Sequence, residues 1–353
     1  MKNRKTTLSD IAKATNLSTA SVSMILSGKK LNRFSKETII QVKKTAKEMF
    51  YTNKKHSSLL GKTILIICPS VYNPYYSTLI QGMEQKAIEL GIRTLIKTTY
   101  WDISIEKDSL KNFSTLPISG IIFSMIPEQI EEVKELSKQI PIVAVGDEDN
   151  NFDFDTVNIN NFEAGKLIGQ HLIDLGHKHV AYISTSLNEF HTARTKRLEG
   201  LKYIFNKHNL PEITVLSQDI LPEEEIATAD IEFLTGYKLA NICLRNYKNI
   251  TAMVGINDMV AYGIINAIKD NKLLIPQDYS VCGFDNIFPS KFASLKLTTI
   301  EHSIFQRGVK AMSLIANKIT DQENNEDNLQ VTRIDYKSRL VKRETTSFPR
   351  KIE

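Results

Sequence analysis

From Thr63 onward, short apolar runs alternate with amphipathic stretches at helical period, and this alternation limits the possible folds more than any other feature of the chain. Residues 64–68, 93–97, 120–123, 142–145, 180–183, 252–255 and 280–283 read as strands. Residues 76–90, 128–139, 163–175, 194–208, 236–246 and 258–270 read as helices between them. Such an order predicts parallel doubly wound sheets, because parallel neighbours need a crossover and the crossover helix covers the sheet. Ligands of these sheets sit at the carboxyl ends of the strands. At 353 residues, 42% hydrophobic and 24% charged, the chain can bury a sizeable core in two or three domains. The longest apolar runs are too short to span a bilayer. The basic N-terminus is not followed by an apolar stretch, so no secretory signal is read there. Cys68, Cys243 and Cys282 are widely spaced and odd in number, which argues against a disulfide framework and suits a reducing cytoplasm.

The first 62 residues carry 14 Lys and Arg against Asp10, Glu37 and Glu48, a net +11, while the remainder is net −6. A compact basic head of this kind is an electrostatic footprint for a phosphate backbone, or else a solvated tail. Helix punctuation separates the two. Thr7 and Asp10 form a capping signal for a helix over residues 8–15, with Leu8, Ile11, Ala12 and Ala14 near one face. Asn16 and Leu17 make a turn, Ser18 caps a helix over 19–26, and Gly28 ends it. Ser35 caps a third helix over 36–50, with Ile39, Ile40, Val42, Ala46 and Met49 as its buried stripe. Two short helices joined by a tight turn, then a third, is the helix-turn-helix plan. Its second helix presents Thr19, Ala20, Ser21, Ser23 and Met24, small groups able to reach base edges or phosphates.

The run TLSDIAKATNLSTASVSMILSG, followed by FSKETIIQVKKTAKEMFY, resembles the headpiece of the LacI/GalR family of bacterial repressors. The resemblance implies that Thr7, Ser18, Thr19, Ala20, Ser21, Ser23, Met24, Arg33 and Ser35 face double-stranded operator DNA. Met24 stands where the family usually has a guanine-reading Arg, and Ser27 where it usually has Asn. Tyr51-Thr52-Asn53-Lys54 lacks the usual proline. The resemblance also implies a hinge helix near residues 56–60, with a leucine wedged into the minor groove. Leu60 is the first choice for that wedge and Leu59 the second.

The resemblance continues through VYNPYYSTLIQGMEQKAIELG, HLIDLGHKHVAYIS, RLEGLKYIF, INDMVAYGIINAIKDNKLLIPQDYSVCGFDN and LTTIEHSIFQRGVKAMSLI. It implies an all-α helix-turn-helix headpiece plus an α/β core like that of periplasmic binding proteins, built of two doubly wound parallel-sheet subdomains. The expected divisions are a headpiece at 1–55, a hinge at 56–62, a core at 63–346 and a tail at 347–353. The N-subdomain covers about 63–160 and 290–322, and the C-subdomain about 161–289 and 323–346, with crossings near Asn160, Pro289 and Gln322. By position in the family pattern, Arg197 and Asp285 grip a small-molecule effector, with Asn257 beside them. Tyr75, Tyr76, Ser124 and Asp147 face them from the other lobe. Ile231 occupies a usually aromatic position, and Phe233 is the substitute stacking face. Asp258 is expected to cap a helix rather than touch ligand.

Neither G-x-G-x-x-G nor G-x-x-x-x-G-K-[ST] occurs, and no catalytic constellation is found, so an enzyme is not expected. No cofactor and no metal are expected; His171, His177 and His179 lack an accompanying Cys or acid cluster. The expectation is a cytoplasmic, nucleoid-associated homodimeric repressor of a near-palindromic operator. Its effector is a sugar or sugar derivative in preference to a purine, acting as inducer or corepressor. The C-terminus shows no leucine heptad, which favours a dimer over a tetramer, and no membrane partner is expected. A small-molecule binder whose basic head contacts RNA or another acidic partner is the alternative.

Overall fold

The computed structural model describes residues 6–26, 30–49, 59–111, 116–147, 152–188, 192–292, 294–323 and 330–351. The positions Ser27, Gly28, Tyr51–Lys54 and His56–Ser58, singled out in the sequence, lie outside them. The chain divides into two compact units, 1–60 and 61–353.

In the first unit, helix α1 (Leu8–Thr15) begins with the expected reciprocal cap: Asp10 N–H donates to Thr7 Oγ1, and Thr7 N–H donates to the Asp10 carboxylate at 2.8 Å. It ends on Asn16, whose φ of 56° is a left-handed conformation that asparagine tolerates. Ser21 N–H then donates to Ser18 Oγ at 3.0 Å, starting α2 (Thr19–Leu26). After a short 3-10 turn (Leu31–Arg33), Thr38 N–H donates to Ser35 Oγ at 3.1 Å, opening α3 (Lys36–Glu48). Ile11, Val22, Ile25 and Val42 are each 0% exposed and meet in one core. Each such side chain contributes about 1.5–3 kcal/mol by leaving water. One residue of the expected buried stripe differs: Ile40 is 64% exposed, because it falls off the side facing the other helices; Ala14, near the apolar face of α1, is exposed as well.

The second unit holds two all-parallel sheets. The N-lobe sheet runs β11-β5-β4-β3-β1-β2, from β1 (Thr63–Cys68), β2 (Arg93–Thr98), β3 (Gly120–Phe123), β4 (Ile142–Asp147), β5 (Asp155–Ile159) and β11 (Arg333–Tyr336). The C-lobe sheet runs β7-β6-β8-β9, from β6 (Val180–Ser184), β7 (Thr214–Ser217), β8 (Ala252–Gly255) and β9 (Ser280–Cys282). Central strands are buried along their length rather than alternating, as expected when helices cover both faces; all six residues of β1 are buried. In chain order the helices of this unit are α4 (Pro74–Leu90), α5 (Ile103–Lys111), α6 (Ile130–Ser137), α7 (Asn161–Asp174), α8 (Thr192–Lys207), α9 (Pro222–Ala227), α10 (Ile231–Asn246), α11 (Asp258–Asp270), α12 (Pro289–Phe292) and α13 (Ile304–Glu323). Helices α7 and α8 approach so closely that a methyl group on Gly165 would lie 2.0 Å from the Arg197 carbonyl oxygen. One on Gly200 would lie 2.0 Å from that of Phe162.

The chain passes between lobes three times. The first passage follows β5, at Asn160. The second differs from the expected position near Pro289. Helix α12 stays on the C-lobe, where Ser290 Oγ donates to Asp258; Thr298 then bridges to Cys282, and Glu301, at the end of β10 (Thr299–Glu301), to Asp285. Passage occurs after Glu301, and α13 packs on α4 of the N-lobe. The third lies between β11, paired with β5, and β12 (Arg339–Val341), paired with β10, rather than near Gln322. The segment expected as a tail is docked: Arg350 donates to the Lys248 and Ile250 carbonyls and stacks over Tyr279, its charge turned toward backbone oxygens.

Candidate functional site

A cavity of about 110 Å³ lies where the carboxyl ends of both parallel sheets face each other. Its C-lobe wall is organised by Arg197 of α8, which is 7% exposed. The guanidinium donates from Nε to Asn161 Oδ1 at 2.9 Å, from Nη1 to the Ile256 carbonyl at 2.7 Å and from Nη2 to Asp285 Oδ1 at 3.1 Å. It stacks over Phe284, and Nη2 lies 3.4 Å from His302 Nε2. His302 Nδ1 in turn lies 3.0 Å from Ser338 Oγ. Asn161 sits at the first passage, His302 at the second and Ser338 at the third, so this one guanidinium is connected to all three.

Burial pushes the Asp285 carboxyl up from its ordinary range, opposed by the Arg197 charge and hydrogen bond. Burial pushes His302 well down, helped by the positive charges of Arg197 and Arg307, so its ring is neutral. Asp285 has φ of 104°, a strained conformation for a residue with a Cβ, held by its N–H donating to the Ile300 carbonyl at 2.9 Å.

Of the eight residues expected to meet an effector, Tyr75, Tyr76, Ser124, Asp147, Arg197, Asn257 and Asp285 line this cavity, and Phe233 does not. One residue is about 100° of helix rotation. That carries Phe233 off the wall and turns Glu232 onto it. Glu232 accepts from Asn257 Nδ2 at 2.9 Å and, across the cleft, from Asn73 Nδ2 at 2.6 Å. Burial pushes its carboxyl up, and Arg194 and the amides oppose the shift. Asn257 also shapes the backbone, since its Oδ1 accepts from Val260 N–H and caps α11. The cap is therefore Asn257, not Asp258. The Asp258 carboxylate accepts instead from Thr299, Ser290 and the Ile287 N–H, and burial raises it to about 8.

Two further ties cross the cleft: Asn161 Nδ2 donates to Asp147 Oδ2 at 2.6 Å, and the Arg194 guanidinium lies 5.4 Å from the Trp101 ring centre. Tyr75 and Tyr76 meet edge to face rather than presenting parallel faces. Asn73, Trp101, Asn161, Arg194, Glu232 and Arg307 were not read from the sequence as lining residues. Arg307 did leave a signal, being a charged residue on the apolar stripe Ile304, Ala311, Ile315 of α13. His177 is committed to Thr251, Ser280 and the Ser347 carbonyl, and His171 to Thr346. Among the described residues no His, Cys, Asp and Glu group has metal-binding geometry, and no helix is long and apolar enough to cross a membrane.

In the first unit, Thr7, Ser18, Thr19, Ala20, Ser23, Arg33 and Ser35 are exposed, and Ser21 and Met24 are half-buried. Val22 and Ile25 point inward, so α2 offers its other side to solvent. Ser18 and Ser21 hydroxyls lie 2.9 Å apart at the helix start. Leu60 is 55% exposed and Leu59 2%.

The family model described as periplasmic binding proteins and sugar binding domain of LacI family matches residues 61–342. The HTH-type transcriptional regulator DegA of Bacillus subtilis (strain 168) is 30% identical over 318 residues, 87% of this chain and 89% of DegA. The HTH-type transcriptional repressor PurR of Mannheimia succiniciproducens is 27% identical over 332 residues, 92% of this chain and 95% of that one. A solved LacI family transcriptional regulator from Enterococcus faecium, with bound ribose, shares the fold at TM-score 0.69 and 24% identity, covering 81% of this chain and 99% of its own. These names describe regulators, a non-enzymatic role. The chain belongs to the LacI/GalR family of transcriptional regulators.

Proposed function

We propose that this chain is a sequence-specific repressor whose helix-turn-helix headpiece reads double-stranded operator DNA under control of an effector in the interlobe cleft. The observation that carries the reading is α2: a capped helix start with Thr19, Ala20 and Ser23 exposed, in a head of net +11. A helix N-terminus with free donors favours phosphate, and small side chains let the helix approach base edges. The exposure of Leu60 supports it over Leu59 as the minor-groove wedge. For the cleft, polar groups converging at the carboxyl ends of two parallel sheets support a hydroxyl-rich ligand, and the ribose in the Enterococcus faecium relative supports a sugar class. A homodimer is supported by β2, a sheet-edge strand exposing Leu95 (42%) and Ile96 (44%). The setting is cytoplasmic. Effector and operator change each other's affinity by the same factor, whether the effector induces or corepresses.

Anisotropy titrations of the full chain with duplex DNA against salt test the head. The expected log–log slope is about −0.9 per phosphate neutralised, and selection from a random pool should return near-palindromic sites with half-sites roughly 10 bp apart. Binding an RNA hairpin as tightly as any selected duplex would sink this reading and favour an RNA-contacting head.

A further inference from the structure

Arg307 of α13 is 0% exposed and lines the cavity, yet among the described residues no carboxylate pairs with it. Its Nη1 donates to Tyr75 Oη at 3.0 Å. Its Nη2 has only long contacts, 3.5 Å to the Gly146 carbonyl and 3.4 Å to that of Val157, and its Nε has no partner. A guanidinium taken out of water with no carboxylate in contact is costly, and the Asp285 carboxylate, which feels the Arg307 charge, is already hydrogen-bonded to Arg197. The same wall holds a second unsatisfied group. Ser124 is 1% exposed and its Oγ has no partner. It follows β3, whose Phe123 pairs with Ala144 of the neighbouring strand, two residues before Gly146. Tyr75 accepts from Arg307, which leaves its own phenolic proton to be donated elsewhere. By contrast, each acid lining the cavity already has a donor: Asp285 has Arg197, Glu232 has Asn73 and Asn257, and Asp147 has Asn161.

We propose that the cleft takes an anionic effector, whose carboxylate or phosphate is held at the N-lobe wall by Arg307, Ser124 and Tyr75. The inference rests on the reading of the cleft as the effector site and narrows its ligand from sugars in general to sugar acids or sugar phosphates. Charge-assisted hydrogen bonds to a planar guanidinium give the anion its preference over a neutral sugar.

Calorimetric titration and thermal unfolding of the full chain test it, with matched probes: ribose against ribose 5-phosphate, and glucose against glucose 6-phosphate, gluconate and glucuronate. At least one anionic probe should bind about ten- to hundredfold tighter than its neutral parent, and whether it is a phosphate or a carboxylate names the anion. In Arg307→Met that preference should vanish. Inorganic phosphate should raise the melting temperature of the unsubstituted protein and not that of the variant. The variant should also melt higher than the ligand-free protein, because it replaces a buried charge with no carboxylate in contact by an apolar side chain of similar length. Neutral sugars binding as tightly as their anionic partners would overturn the anion and leave the cleft reading intact. No response to any probe would count against both. An Arg307→Met protein that melts well below the ligand-free parent would overturn the proposal by making Arg307 a structural group.

Discussion

Arg197 has a partner at every guanidinium nitrogen, so its removal acts on stability as well as on ligand recognition. Arg197→Ala leaves the buried Asp285 carboxylate without its main counterion, and losses for breaking buried pairs are about 3–5 kcal/mol. Thermal unfolding should show such a loss together with a lost effector response. Adding Asp285→Asn should recover part of the stability, because paired groups are not additive. Unfolding energies that simply sum would show that the two residues do not act as a pair. Asp258 gives a pH signature. Its folded value of about 8 lies above the ordinary value of 3.8, so the folded state binds the extra proton. Its contribution is complete below the ordinary value and is lost as pH rises through about 8. Asp258→Asn, which cannot ionise, should therefore lose less stability between pH 6 and 9 than the parent in melts taken across that range. An unchanged pH slope would show that Asp258 is not the group responsible. Arg197 and Asp285 are legible because they lie in R-L-E-G-L and G-F-D-N, but the partners that make Arg197 structural come from segments 36 to 105 residues away.

Helices α7 and α8 show what close approach demands of an element. Gly165 and Gly200 let each backbone rest against the other, and Asn161 and Arg197, one on each helix, meet because of it. Gly165→Ala forces the pair apart, and overpacking of this kind costs about 1–3 kcal/mol. The expected result is a lower melting temperature and weakened effector binding, read by unfolding and titration. A variant that melts and binds like the parent would show that the helices yield without disturbing Arg197. Elements with strong periodicity and capping residues were legible in the sequence: α1 and α2 have the expected bounds, and α4 gains only the turn from Pro74. Two properties hide strands from the hydropathy pattern. β5 is fully buried but polar, with Asp155 and Asn158 held by Thr332 N–H and Asp335, so hydropathy hides it. β7 and β11 are short and half-exposed.

At the scale of the whole molecule, an exposed apolar edge on β2 calls for a covering surface. If a second copy supplies it, Ile96→Glu should shift the protein toward monomer in sedimentation experiments and weaken operator binding, since two half-sites then bind separately. A parent protein that sediments as a monomer at all concentrations would remove the dimer from the mechanism. Strand pairing explains why two lobe passages were misplaced along the sequence. A single chain's periodicity tells where strands are but not which sheet receives them, and β11 joins β5 across more than 170 residues. The C-lobe wall of the cleft is bound through Arg197 into the three segments joining the lobes, whereas Arg307 and Ser124 on the opposite wall hold spare hydrogen-bonding capacity. On the proposed function, innovation is therefore unequal between the walls: a new signal molecule is reached more readily through changes on the N-lobe side, because changes on the Arg197 side also disturb the joints it fastens.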